Sequence, residues 1–270
     1  MPDKRIITLT TDFGYEDPFV GVMKGVILKI NPGAEIIDLT HGIRPQDIRE
    51  AALTIGLNYK YFPDNTIHVV VVDPGVGSGR RPVLVECDRH FFIGPDNGVF
   101  SYIFKKEHDI LDVIHITSEH YFLSTKSPTF QGRDFFAPAA AWFSKGVNMS
   151  SFGERVTDYQ TIDLPFPELT AEGTVTGEVI QIDRFGNAIT NIAKADMERL
   201  EGAGAEAEYR IILGDRAVPL KDFYAQSADR SLCAVVNSSD NLEFFIYSGS
   251  ASKEFSISIG DRVEISLIRK

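Results

Sequence analysis

Polar residues able to do chemistry gather at four predicted turns: Thr10 to Gly14, Asp73 to Arg80, Gln131-Gly132-Arg133-Asp134, and Asp183-Arg184-Phe185-Gly186-Asn187. Asp, Asn and Gly are ordinary turn formers, so each cluster alone reads more readily as a plain turn than as a site. Together they offer carboxylates at strand ends and, in the last cluster, an aromatic ring beside an amide. That pair suits a planar heterocycle, and equally a hairpin corner. Asp73 has the most telling address. It follows Val69 to Val72, a run without polar alternation that reads as a strand buried on both faces, and Pro74 with Gly75, Gly77 and Gly79 marks where the chain leaves the sheet. Ligands of open α/β sheets bind outside the carboxyl ends of strands. The apolar run Ile6 to Leu9 enters Thr10-Thr11-Asp12-Phe13-Gly14 in the same way, so Asp12 and Asp73 are expected to share one polar site.

Several chemistries are disfavoured. No Gly-Lys-Ser/Thr follows the glycine loop, its spacing is not that of a dinucleotide fingerprint, and Pro82 to Cys87 reads as a strand rather than a phosphate-binding helix start. The six histidines, at 41, 68, 90, 108, 115 and 120, show no metal-ligand spacing, and His68 and His115 read as satisfied sheet residues. With no nucleophile elbow and no Cys-His signature, neither a metal nor a covalent acyl intermediate is expected. Cys87 and Cys233 each lie in an apolar run and are expected as buried thiols. The net charge of -11 argues against non-specific nucleic-acid binding. No run reaches membrane-spanning length and no signal peptide is visible, so a cytoplasmic address without membrane partners is expected.

The elements that must position these residues follow from periodicity. Asp17-Pro18 predicts a helix start with Asp17 as N-cap, and Phe19, Val20, Met23, Val26, Ile27 and Ile30 share one face before Asn31-Pro32-Gly33. A strand at Ile36 to Leu39, a helix from Asp47 and the valine strand complete a β-α-β-α-β order, which predicts an α/β fold with a mainly parallel sheet and flanking helices. Val99 to Phe104 and Asp134 to Ser144 are predicted helical, with Pro138 in the first turn of the latter or bending it. Leu164-Pro165-Phe166-Pro167-Glu168 reads as a linker, dividing an α/β domain over 1–164 from a smaller domain over 171–270. There helical periodicity nearly disappears. The alternating run Thr174 to Asp183 and the short strands at 209–213, 232–236, 242–247 and 263–268 predict an antiparallel, barrel-like or sandwich β domain.

Taken in order, Thr11-Asp12-Phe13-Gly14, Asp73-Pro74-Gly75-Val76-Gly77 with Arg80, Gly94-Pro95-Asp96-Asn97-Gly98, Gly132-Arg133-Asp134 with Phe136-Ala137-Pro138, Asp183-Arg184-Phe185-Gly186-Asn187 and Asn237-Ser238-Ser239 resemble the S-adenosylmethionine hydroxide adenosyltransferases. These are the hydrolase branch of the fluorinase and chlorinase superfamily. The resemblance spans nearly the whole chain. It implies attack of water or hydroxide on ribose C5′ of S-adenosylmethionine, with methionine leaving from the sulfonium and adenosine remaining, and with no cofactor. It also implies a homotrimer, with each site between the α/β domain of one subunit and the β domain of its neighbour.

By position, the resemblance implies that Asp12, beside Phe13, holds the ribose hydroxyls. Asp73 and Arg80 match two members of a water-handling triad, with positioning as the safer role for the aspartate. Gln131 stands where the hydrolases typically carry histidine; an amide can hydrogen-bond to water but cannot take its proton near neutral pH. His41 is a candidate to compensate. Phe185 and Phe223 would pack on the base, Asn187 would read its edge, and Asp183 and Ser238 would receive the methionine amino and carboxylate groups. Ser239 stands where the halogenases carry an arginine. The halogenases have tyrosine at the position of Asp73, and the fluorinase's insertion near Glu86 to Phe91 is missing. Hydrolysis therefore ranks first. A non-catalytic adenosine or S-adenosylmethionine binder, motivated by Gln131, ranks second, and chlorinase-like halide transfer, motivated by Gly132, third.

Overall fold

The computed structural model describes residues 5–106, 110–201, 208–227 and 229–268; His108 lies outside them. The chain divides into two compact units, Met1–Leu164 and Pro165–Lys270.

The first unit carries β1 (Ile6–Thr11), α1 (Phe19–Ile30), β2 (Glu35–Thr40), α2 (Ile48–Asn58), β3 (Ile67–Val71), β4 (Pro82–Cys87), β5 (His90–Pro95), α3 (Ser101–Lys106), β6 (Ile110–Ile116), α4 (Ala137–Ser144) and β7 (Gly153–Arg155). Its seven strands are ordered β2-β1-β3-β5-β4-β6-β7. The pairings β1/β2, β1/β3 and β3/β5 are parallel, so the half of the sheet that ends in Asp12 and Asp73 has the expected topology. β4 inserts antiparallel between β5 and β6, because the Asp88-Arg89 turn is too short for a crossover and forces a hairpin. Every residue of β3 is buried, and one apolar layer forms on each face of the sheet. Met23 and Ile27 of α1 with Ala139, Ala140 and Phe143 of α4 cover one side; Ala51 and Ile55 of α2 with Ile103 of α3 cover the other. Each fully buried Ile, Leu or Phe contributes about 1.5–3 kcal/mol. This packing is the platform on which the strand-end loops stand.

Three boundaries depart from expectation. Helix α1 begins at Phe19 with Pro18 at the N-cap, where Val22 N–H closes onto Pro18 O at 2.9 Å; Asp17 makes no cap. The helix after β5 begins at Ser101 rather than Val99, since Asn97 Oδ1 takes the Val99 N–H in a turn of its own. The segment from Gly132 to Phe136 is a π-turn, and the α-helix starts at Ala137 with Pro138 in its first turn. Such wide turns occur often at functional sites.

The second unit holds β8 (Glu168–Leu169), β9 (Thr174–Ile182), β10 (Ala188–Ala193), α5 (Lys194–Glu201), β11 (Tyr209–Leu213), β12 (Arg216–Val218), β13 (Leu220–Lys221), β14 (Cys233–Val236), β15 (Asn241–Phe245), α6 (Ala251–Phe255) and β16 (Arg262–Leu267). Its sheet runs β12-β11-β16-β9-β10-β15-β14-β13, with β8 also on β9, and is mostly antiparallel and nearly closed into a barrel. Pairing thus begins at Glu168, within the stretch read as a linker. β9 pairs with β16 along its first half and β10 along its second, and turns the corner near Gly177. A Cβ there would stand 2.3 Å from Asn191 Oδ1 and 2.5 Å from Ile192 Cγ1, so only glycine lets the strands cross so closely. Val175, Val179, Ala188, Ile211, Phe244, Val263 and Ile265 fill the interior. Both cysteines are buried and outside any disulfide, and among the described residues no helix is long and apolar enough to cross a membrane.

Candidate active site

In the first unit, the ends of β1 and β3, the loop after Arg44 and the entry to the π-turn enclose a cleft of about 400 Å³. Asp12, Phe13, Asp73 and Gln131 line it together, with Phe19, Gln46, Val76 and Phe130. Asp73 leaves β3 through Pro74, and the glycine loop carries Arg80 back over it. Arg80 Nε donates to Asp73 Oδ1 at 2.9 Å, and its Nη2 reaches both Asp73 Oδ2 and Gln131 Oε1. The side chains of Arg80 and Asp73 are only 9% and 5% exposed, so this fork is shielded from water and salt. The guanidinium also lies 5.2 Å from the centre of the Phe136 ring. Gly77 permits the loop's close approach: its φ is +82°, and a Cβ would sit 2.6 Å from Pro128 O.

Because Arg80 occupies Gln131 Oε1, the donor end of that amide is the part not held by the guanidinium. The cluster thus offers an acceptor, Asp73, and an amide N–H₂ within one small cleft. Asp12 is held from behind. Its Oδ2 accepts from Gln46 N at 2.7 Å, which requires Gln46 to adopt a left-handed φ of +67°, uncommon for a side chain of this kind. His41 does not line the cleft. It is buried, with Nδ1 2.8 Å from Thr11 Oγ1 and Nε2 3.0 Å from Asp38 Oδ1, and so braces the β1 turn rather than replacing Gln131.

In the second unit, Asp183, Phe185 and Asn187 gather at one end of the barrel around a pocket of about 510 Å³, with Tyr224, Ile246, Tyr247, Ser248 and Gly249. Asp183 Oδ1 accepts from the backbone N–H groups of Phe185 and Asn187, at 2.9 and 2.8 Å, and so builds the turn that presents the exposed Phe185 ring. Burial pushes the Tyr224 phenol up to about 12, helped by its 2.9 Å bond to Glu243, so it remains a donor. Phe223 is exposed and lies outside the pocket lining, as do Ser238 and Ser239 of the β14–β15 turn; Ser239 N–H donates to Asn237 Oδ1.

Residues 7–153 match the model of the S-adenosylmethionine hydroxide adenosyltransferase N-terminal domain, and residues 177–264 match its C-terminal domain. The chain belongs to the S-adenosylmethionine hydroxide adenosyltransferase family. Relatives within reach include two named (R)-S-adenosyl-L-methionine hydrolase. The Thermus thermophilus protein is 33% identical over 97% of this chain and 99% of its own length; the Methanocaldococcus jannaschii protein is 35% identical over 96% and 95%. A fluorinase of Nocardia brasiliensis is 28% identical over 81% of this chain and 80% of its own. Among solved structures, an uncharacterised conserved protein from Thermotoga maritima matches with a TM-score of 0.88 at 32% identity, over 96% of this chain and 99% of that one.

Within this adenosyltransferase frame, sequence reasoning did not single out Gln46, Phe130, Tyr224, Tyr247 or Glu243. Gln46 acts through its backbone, for which side-chain type is no guide. Tyr224 adjoins the named Phe223, and a single 3₁₀ turn, Tyr224–Gln226, decides which of the two faces the pocket. Glu243 carried a signal that could have found it: a lone carboxylate in the apolar run Leu242 to Ile246.

Proposed function

We propose that this protein hydrolyses S-adenosyl-L-methionine to adenosine and L-methionine, with water attacking ribose C5′. The observation that carries the proposal is the forked Asp73–Arg80–Gln131 cluster, in which Asp73 and Gln131 line the same cleft as Asp12. The names of the hydrolase relatives specify the R configuration at sulfonium, and the R epimer is proposed as the substrate here.

In this reading Asp12 holds the ribose hydroxyls, its free Oδ1 available while Oδ2 is tied to Gln46. Asp73 accepts a hydrogen bond from the attacking water and Gln131 N–H₂ donates to the water's lone pair, which fixes the nucleophile between them. As the water oxygen bonds to C5′, the C5′–S bond breaks and its electron pair returns to sulfur, leaving neutral methionine. One proton of the attacking water is released to solvent as the 5′-hydroxyl of adenosine forms. The leaving group is already cationic, so positioning and desolvation carry the catalysis. Arg80 holds Asp73 and Gln131 in register. Phe185 and Asn187 take the base, and Asp183 with Ser238 and Ser239 the methionine end, with Phe223 as a further ring beside the base. The complete site is proposed to form in a homotrimer, where the cleft of one protomer meets the second-unit pocket of its neighbour.

Hydrolysis in H₂¹⁸O tests the route. Attack at C5′ places ¹⁸O in the adenosine 5′-hydroxyl; adenosine free of label would refute it. A binding-only protein would give no adenosine at all, and chlorinase-like transfer would give 5′-chloro-5′-deoxyadenosine.

A further inference from the structure

Asp134 closes the Gly132-Arg133-Asp134 motif, and the chemistry above leaves it unused. It is wholly buried, where a carboxylate is costly unless its lone pairs are taken. Oδ1 accepts from Arg133 Nε at 2.6 Å, and Oδ2 accepts from Arg133 Nη2 at 2.9 Å and from Ser127 N–H at 2.7 Å. The backbone of the same residue makes further ties: Leu123 N–H donates to Asp134 O at 3.0 Å, and Asp134 N–H donates to Phe130 O at 3.2 Å. The segment 123–130 is thus pinned to Asp134 at its start, its middle and its end. That segment delivers Phe130 and then Gln131 to the cleft, and its Pro128 O stands against the glycine loop at Gly77. Arg133 extends the tie to the cleft wall. Forked onto Asp134, its guanidinium lies 5.2 Å from the centre of the Phe130 ring. Phe13 and Phe19 meet that ring edge-on, at 6.1 and 5.1 Å between centres, and all these rings line the cleft, whereas Arg133 does not. Neighbours in sequence do not face each other in an α-helix; this pair lies within the π-turn Gly132–Phe136.

We infer that Arg133 is a positioning residue for the hydrolysis: braced on Asp134, it fixes the Phe130 ring as the wall of the cleft beside Gln131, where the attacking water is held. This rests on the reading of the cleft as the place of attack at C5′. A fixed ring excludes competing water and confines the nucleophile, and both effects act on the chemical step. Affinity for the substrate comes from the ribose, base and methionine contacts, none of which Arg133 makes. The brace therefore governs kcat and leaves KM nearly untouched.

The test is a double-mutant cycle on the full-length protein, with adenosine formation from S-adenosyl-L-methionine followed at steady state in wild type, Arg133→Met, Phe130→Leu and the double variant. Arg133→Met, which keeps an apolar stem, is expected to lower kcat about fivefold, the size of one guanidinium–ring contact, with KM within about twofold. Phe130→Leu should lower kcat about tenfold, again with little change in KM. Because Arg133 acts through the ring, its removal from Phe130→Leu should cost less than about twofold further. Arg133→Lys keeps the charge but not the fork, and should recover only part of the loss. A kcat unchanged in Arg133→Met, losses that multiply in the double variant, or full recovery with lysine would each overturn the inference; the last two would assign the effect to general loosening and to charge alone. Phe130→Leu leaves the Arg133–Asp134 pair in place, so a kcat unaltered there overturns the inference even if Arg133→Met does not fold. A wild type that forms no adenosine overturns the hydrolase reading itself, and the inference with it.

Discussion

His68, near the start of β3, offers a worked prediction of stability against pH. Its ring is fully buried, with Nδ1 2.8 Å from Thr8 Oγ1 and Nε2 3.2 Å from His90 Nδ1, and it is surrounded by the rings of Tyr59, Phe62 and Phe92. Burial, and secondly the neighbouring His90, lowers its pKa from the ordinary 6.5 to about 3. The folded protein then binds no proton at His68 between those values, whereas the unfolded chain does. The stability this neutral ring confers is therefore present above pH 6.5 and is lost as pH falls toward 3. One proton of difference is worth about 1.4 kcal/mol per pH unit, so His68 should withdraw about 2 kcal/mol between pH 7 and pH 5. For a protein of this size that lowers the melting temperature by roughly 4–8 °C. The assay is urea unfolding at half-unit steps from pH 7 to pH 4.5, comparing wild type with His68→Gln, which keeps polar atoms near Thr8 and His90 but does not titrate. Other groups contribute the same background to both proteins. The variant's stability should fall less steeply by about one proton; identical slopes would refute the assignment of a neutral buried His68.

Asp73→Ala is expected to remove hydrolysis below detection while leaving adenosine affinity within about threefold; appreciable turnover in that variant would eliminate the aspartate from the chemistry. Gln131→Ala takes away an acceptor of Arg80 and one of the two groups fixing the water, and should lower kcat about tenfold with little change in KM; an unaltered kcat would show the amide to be a bystander. Gln131→His restores an acceptor and adds a proton carrier, so steady-state kinetics should show a rate at or above wild type. Gly77→Ala imposes an L side chain at φ +82° and a contact 2.6 Å from Pro128 O. It should cost about 1–2 kcal/mol in stability and depress kcat by displacing the segment leading to Gln131; a fully active, equally stable variant would contradict the packing described.

What was legible in the sequence was what local pattern encodes. Val69 to Val72 could only be a strand shielded on both sides, and that placed Asp73 at its end; the same logic placed Asp12. The turn residues Asp183 to Asn187 identified a corner of the β domain, and Asp183, Phe185 and Asn187 line one pocket there. What was not legible depends on contacts distant in sequence or on backbone angles. The start of α1 at Phe19 puts Pro18 at the N-cap position, where the residue types pointed to Asp17. The π-turn before Ala137 has no signature in residue type, and the left-handed Gln46 is explained by Asp12, 34 positions earlier. His41 looked like a spare catalytic base, but its two partners, Thr11 and Asp38, make it a brace.

The most direct measurement of the central claim is incubation of the purified protein with the R and S epimers of S-adenosyl-L-methionine in chloride-containing buffer, with nucleoside products followed by mass spectrometry against an Asp73→Ala control. The account predicts adenosine from the R epimer, formed by the wild type and absent in the control. Saturable binding with no adenosine, or adenosine formed equally by the Asp73→Ala protein, would contradict it.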